Sequence, residues 1–188
     1  MNPREHLEHI GTLDDADVPL FETALDFASI AHVGRHVAAY REHIKKMQTE
    51  VGERYAALLA AGADETVQTR IAATKHVMCD KYGYDGDHET YNDLRNADVM
   101  EVIDRRKGIP ISLAILALEC ARAQGWDVKG INFPGHFLIR FDDGGTRVMC
   151  DPFQSFKILQ APDLRQIVKS VMGPQAELSA SFYQDVPN

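Results

Sequence analysis

The stretch His136-Phe137-Leu138-Ile139-Arg140-Phe141-Asp142-Asp143-Gly144-Gly145-Thr146-Arg147-Val148-Met149-Cys150-Asp151 reads as a β-hairpin. Asp143-Gly144 lies between two strand-like runs, and Asp-Gly is a strong signal for a two-residue primed turn, which needs φ > 0 at both central positions. With Asp143 and Gly144 as the turn pair, Asp142 faces Gly145 and Phe141 faces Thr146. Counting outward sets Phe137 against Cys150 and His136 against Asp151. Directly opposed side chains have Cβ atoms about 5 Å apart, within reach of an imidazole–carboxylate hydrogen bond. A positioned His–Asp pair is the base and its orienting acid of a nucleophilic triad, without the nucleophile.

Upstream of the hairpin, Val128–Phe133 reads as a further strand, and Ile111–Ala121 is apolar almost all round until Glu119 and Arg122. Such a helix belongs in the middle of a protein, with Pro110 at its first position and Gly125 as its stop. The first half of the chain is helical by period. Leu20, Ala24, Phe27, Ala28 and Ala31 form one apolar stripe, and Val37, Tyr40, Ile44, Met47, Val51, Tyr55 and Leu58 form a longer one, separated by Gly34. A third helix is expected from an Asp64 N-cap through Val67, Ile71, Thr74 and Met78 to Tyr82-Gly83. Tyr84–Asn96 has the composition of a loop, Ala97–Arg106 reads as a short helix ended by Gly108, and Ala161–Val171 reads as a C-terminal helix. The pattern is α+β: a helical bundle over 18–83, then a core over 84–172 in which a buried helix packs on an antiparallel sheet, all within one domain of 1–188.

Composition narrows the functional classes. The chain has 188 residues, 45% of them hydrophobic, enough for one sizeable core. Twenty basic and 28 acidic residues give a net charge of −8, which argues against a nucleic-acid or anionic-membrane surface as the main business. No apolar stretch approaches the ~20 residues of a membrane span, and Met1–His9 is too polar for a signal peptide, so a cytoplasmic protein is expected. Cys79, Cys120 and Cys150 are an odd set without paired spacing and read as reduced thiols.

Several other groupings carry little chemistry. Cys79 has His76 three residues back on a helix, a local thiol–imidazole spacing with no third member. His32 and His36 have two-histidine metal spacing but no glutamate between them, and Gly34 interrupts the helix. Asp85-Gly86-Asp87-His88-Glu89 departs from the calcium-loop order and reads as a solvated turn, and Arg105-Arg106-Lys107 as a solvated helix end. No metal and no cofactor is expected.

The blocks Tyr91-Asn92-Asp93-Leu94-Arg95-Asn96-Ala97-Asp98, Val102 through Arg105-Arg106-Lys107-Gly108-Ile109-Pro110-Ile111-Ser112-Leu113-Ala114, Phe133-Pro134-Gly135-His136-Phe137-Leu138-Ile139-Arg140 and Asp151-Pro152-Phe153 resemble the transglutaminase-like superfamily, most narrowly its bacterial SirB-type branch. That resemblance implies a papain-like core, with a cysteine at the N-terminus of the buried helix and His and Asp on neighbouring strands. His136 matches the histidine, Asp151 the aspartate, and Pro110 falls at the cysteine. Ser112 is a tentative substitute nucleophile, but two helical residues rotate it about 200° away, and satisfying free N–H groups of the first turn is its simpler role. The resemblance also places Tyr82-Gly83-Tyr84 and Tyr91–Asn96 near the His136 cleft. Two features depart from it. Gln154-Ser155 stand where relatives carry glycines, and the sequence stops at Pro187-Asn188 without the usual tetratricopeptide-like helices. The resemblance therefore implies a non-catalytic binding or regulatory domain with an unidentified protein partner. The alternative is a hydrolase or acyltransferase using His136 and Asp151 with water or Ser112.

Overall fold

The computed structural model describes residues 3–184, so Met1, Asn2 and the stretch 185–188, Pro187 and Asn188 included, lie outside it. Its helices are α1 (Pro3–Ile10), α2 (Leu20–Ala31), α3 (Val37–Ala60), α4 (Val67–Lys75), α5 (Val99–Arg105), α6 (Pro110–Arg122) and α7 (Ala161–Met172). Its strands are β1 (Asp85–Gly86), β2 (Lys107–Gly108), β3 (Asp127–Phe133), β4 (His136–Asp143), β5 (Thr146–Asp151) and β6 (Lys157–Leu159). The last four form an antiparallel sheet in the order β3-β4-β5-β6, and β1 pairs parallel with β2 in a separate two-stranded sheet. The protein is thus a mixed helix-and-sheet structure.

α6 is central because its sequence leaves it only a narrow stripe toward solvent, Ile111, Ile115, Glu119 and Arg122. Ser112, Leu113, Ala114, Leu116, Ala117, Leu118, Cys120 and Ala121 are all buried. One side packs on β3 and β4 through Val128, Ile139 and Phe141, and the other meets α2, α3 and α4 through Leu25, Met47, Val51 and Ile71. The opposite face of the sheet carries Ile131, Phe133, Leu138, Met149 and Leu159 against Leu164 and Val168 of α7. Strand alternation produces this division: Ile139 and Phe141 go to α6, while Leu138 between them goes to α7.

The hairpin register differs from the sequence expectation by two residues. Asp143 pairs with Thr146, Asp142 with Arg147 and Ile139 with Cys150, so the turn pair is Gly144-Gly145. Gly144 has φ +52 and Gly145 φ +95, the two positive values a primed turn demands, and glycine takes them without the Cβ clash that Asp143 would suffer. Other boundaries move for local reasons. Thr66, not Asp64, caps α4 by accepting the Thr69 N–H at 3.3 Å. Asp98 caps α5 with Oδ1 accepting from the Met100 and Glu101 N–H groups, and α5 ends at Arg106, left-handed at φ +60, while Gly108 lies in β2. After Lys75 the third helix widens into a π turn over His76–Lys81, in which the Tyr82 N–H bonds the Val77 carbonyl at 3.1 Å.

β1 lies hard against Pro152–Gln154. A Cβ on Gly86 would stand 2.5 Å from the Phe153 carbonyl oxygen and 2.6 Å from its ring. Backbone cannot yield as a flexible side chain can, so Gly86→Ala is expected to destabilise the protein by about 1–3 kcal/mol, read as a lowered urea midpoint.

Candidate functional site

His136 and Asp151 meet despite the changed register, because a shift of two residues preserves the face on which each side chain stands. His136 lies opposite Phe133, and both members of the pair share the α7 side of the sheet with Leu138 and Met149. His136 Nε2 is 3.4 Å from Asp151 Oδ2. Asp151 is fully buried and caps the turn that follows: Oδ1 accepts the Phe153 N–H at 2.9 Å, and Oδ2 accepts from Gln154 Nε2 at 3.0 Å. Ser155 and Phe156 then run left-handed at φ +49 and +59, so of the Gln154-Ser155 pair it is Ser155 that takes a glycine-like conformation.

Burial pushes the Asp151 carboxyl above its ordinary value of 3.8, against the opposing pull of His136 and the donors from Phe153 and Gln154. The His136 side chain retains 19% of its exposure, but its second nitrogen, Nδ1, is buried with no hydrogen-bond partner among the described residues. The pair can hold a ring and share a charge. A general base also needs its free nitrogen within reach of the proton it takes, and here that nitrogen is enclosed.

Ser112 is not directed at this pair. Its hydroxyl hydrogen-bonds the Asn96 carbonyl at 2.7 Å and the Ile109 carbonyl at 3.0 Å, acceptors rather than the free N–H groups expected from sequence. The Ile109 N–H bonds the same Asn96 carbonyl at 3.3 Å, so this one oxygen ties down the entry to α6. Cys120 and Cys150 are buried, Cys150 on the α6 face away from Asp151, and Cys79 is half-buried. His76 Nδ1 is 3.5 Å from Asp80 Oδ2, its ion-pair partner in place of a thiol. Burial raises all three thiols, Cys79 to about 12, the reverse of what nucleophilic activation requires.

Two further sequence readings are corrected. Asp87 is not part of a solvated turn: it is 2% exposed and anchors a polar network. Its carboxylate accepts from the Thr90 N–H and hydroxyl and from Arg105 Nη2 at 3.0 Å, and the Thr90 donors above all hold it well below the usual carboxylate range. Arg105 Nη1 also donates to Asn96 Oδ1 at 2.9 Å, and Asn96 Nδ2 to the Thr90 carbonyl at 2.7 Å. Arg105 is therefore no solvated helix end. Its link to Asp87 spans 18 residues, so only the clustering of Asp and Asn in a turn-rich stretch hinted at it. Of the expected rim, Tyr91 reaches Phe153, with ring centroids 5.8 Å apart, and His88, outside that expectation, comes to 4.5 Å, whereas Tyr82 and Tyr84 gather around His43 and Arg106. His32 and His36 also separate: His32 Nε2 bonds Asp98 Oδ2 at 2.8 Å, and His36 stands at the start of α3. Among the described residues no group of three His, Cys, Asp or Glu side chains is placed to hold a metal ion.

The transglutaminase-like superfamily profile matches residues 38–188, and the chain belongs to that superfamily. Among curated relatives, a UPF0162 protein of Xylella fastidiosa strain Temecula1 is 34% identical over 173 residues, 89% of this chain and 58% of the relative. A UPF0162 protein of Pseudomonas aeruginosa is 30% identical over 185 residues, 97% of this chain and 63% of the relative. The chain thus spans under two thirds of the length of these bacterial relatives. Mouse F-box only protein 21 is 36% identical over 81 residues, 43% of this chain but 13% of that protein. No solved structure matches, and no helix among the described residues is long and apolar enough to cross a membrane.

Two outcomes follow from this geometry. A raised folded-state value means that folding favours protonated Asp151, so this contribution is present below the unfolded value and is lost as pH rises through the folded one. The stability of wild type relative to Asp151→Asn is expected to fall with rising pH in urea unfolding from about pH 3 to pH 7. Ser112→Ala removes a buried hydroxyl with two acceptors, and a loss of about 1 kcal/mol is expected in the same assay.

Proposed function

We propose that this chain is a transglutaminase-like domain of the SirB-type branch that binds or regulates rather than catalyses. Pro110 stands where the superfamily's cysteine would open the buried helix, a position at which the helix dipole would otherwise lower a thiol pKa. The domain is taken as one unit, helical over 18–83 with a papain-like core over 84–172, cytoplasmic, and acting on a protein partner. His136 and Asp151 serve as a polar buttress: His136 stands opposite Phe133 in the sheet, while the carboxylate fixes the turn through Phe153 and Gln154.

The observation that carries this reading is the enclosed, partnerless Nδ1 of His136, together with thiols whose pKa values burial has raised. Burial holds the thiols away from the thiolate form, and the free ring nitrogen of His136 is enclosed. The opposing reading, a hydrolase or acyltransferase in which His136 and Asp151 activate water or Ser112, requires that nitrogen to meet a nucleophile. Ser112 instead spends its hydroxyl on Asn96 and Ile109.

Mass-spectrometric timing of iodoacetamide and fluorophosphonate labelling separates the two. Slow alkylation of all three cysteines at neutral pH, no labelling of Ser112, and no change in His136→Ala are expected. Rapid modification of a cysteine or of Ser112 that disappears in His136→Ala would establish surviving nucleophilic chemistry and overturn the reading.

A further inference from the structure

Among the described residues no carboxylate lies within ion-pair distance of Arg106. Arg106 follows α5 in the left-handed conformation (φ +60, ψ +22), a backbone state that an L residue keeps only when its surroundings hold it there. Its guanidinium carbon lies 4.8 Å from the ring centre of Tyr84 and 5.7 Å from that of Tyr82. Nη1 donates to the Tyr84 hydroxyl at 2.5 Å and lies 2.9 Å from His43 Nε2. Desolvation, and then the charge of Arg106, lowers the His43 pKa to about 4, so at neutral pH its Nε2 is an acceptor for that N–H. Stacking and two hydrogen bonds therefore fix the plane of the guanidinium.

Those bonds use both hydrogens of Nη1. The Nε and Nη2 hydrogens have no acceptor, and the group no carboxylate partner, among the described residues. Carboxylates are not scarce in a chain of net charge −8, and the neighbouring arginines do have them. Arg35 pairs with Glu101 at 2.7 Å and Asp104 at 3.0 Å, and Arg105 with Asp87 at 3.0 Å. Arg106 instead lines an open cavity of about 480 Å³ with Arg35, His36, Tyr40, His43 and Asp104.

We infer that Arg106 anchors a binding site for a small organic carboxylate. The unsatisfied Nε/Nη2 edge of a guanidinium is a coplanar two-donor fork whose spacing matches the two oxygens of a carboxylate. Asp104 on the cavity wall favours a single negative charge over a dianionic phosphate, which it would repel. Because the fork is already held in place, little side-chain freedom is lost on binding. The site uses neither His136 nor Asp151 and stands whether or not that pair does chemistry.

The test uses the full chain and two readouts, the Arg106 Nε–Hε resonance and the His43 ring resonances. Sodium benzoate, sodium acetate and inorganic phosphate are each titrated against sodium chloride at matched ionic strength. A saturable shift at both groups with the carboxylates, weaker with phosphate and absent with chloride, is expected. Arg106→Lys keeps the charge and loses the fork, and should weaken benzoate binding about tenfold or more, followed at His43. If that variant does not fold, the wild-type titrations decide alone. Linear shifts matching chloride, tighter binding of phosphate, or undiminished binding in a folded Arg106→Lys variant would each overturn the assignment.

Discussion

The burial of α6 is the constraint on which the other elements depend. A helix this apolar must be covered over most of its circumference, and this chain covers it with β3 and β4 on one side and with α2, α3 and α4 on the other, leaving Ile111, Ile115, Glu119 and Arg122 as its partly exposed stripe. Each large side chain so buried contributes about 1.5–3 kcal/mol, more than a typical single hydrogen bond in the protein. The helix end is the difficult part, since polar backbone there is buried with the rest. Asn96 answers it: its carbonyl takes the Ile109 N–H and the Ser112 hydroxyl, and its side chain is held by Arg105 and the Thr90 carbonyl. Asp87, through Arg105 and Thr90, secures the far side of that arrangement. The chain from Asp87 to Ser112 is thus a polar clamp on the first turn of an apolar helix.

Much of this was legible in the sequence where a period carried it. The stripe of α3, the apolarity of most of α6 and the alternation of β4 and β5 lead to the observed elements within a few residues, whereas α2 forms as expected but buries Phe21, Leu25 and Ala28 and leaves Phe27 exposed. The hairpin is instructive because its turn was misread and its face was not. Asp143-Gly144 is a strong signal, yet Gly144-Gly145 meets the backbone requirement with no Cβ at all, and the two-residue slip left His136 and Asp151 on one surface. Short elements were not legible: β1 and β2 have two residues each and β6 three, too few for any periodicity. Asp87 and Arg105-Arg106 were misread for a different reason. Composition marks them as polar, while their burial is imposed by residues far away in sequence. Nor does any sequence signal announce Arg106, Ser155 and Phe156 as left-handed, since glycine is the residue that ordinarily marks that state.

The two polar assemblies of the protein are built on opposite principles. Around His136 the donors and acceptors converge inward: Asp151 is saturated by Phe153, Gln154 and the ring, and the remaining ring nitrogen is enclosed. Around Arg106 they converge on one edge of the guanidinium and leave the other facing a cavity. His136 and Asp151 therefore belong to the closed assembly. The open one lies among Tyr82, Tyr84 and His43.

The π turn over His76–Lys81 gives this second assembly its phase. An α-helix advances each residue by about 100°, so a single surplus residue in one turn rotates everything after it by roughly that angle relative to everything before it. Val67, Ile71 and Thr74 point into the core from α4, and the surplus residue sits between them and the two tyrosines that stack on Arg106. The aromatic cradle is thereby indexed to the core by a one-residue insertion. Its orientation depends on residue count as much as on side-chain chemistry.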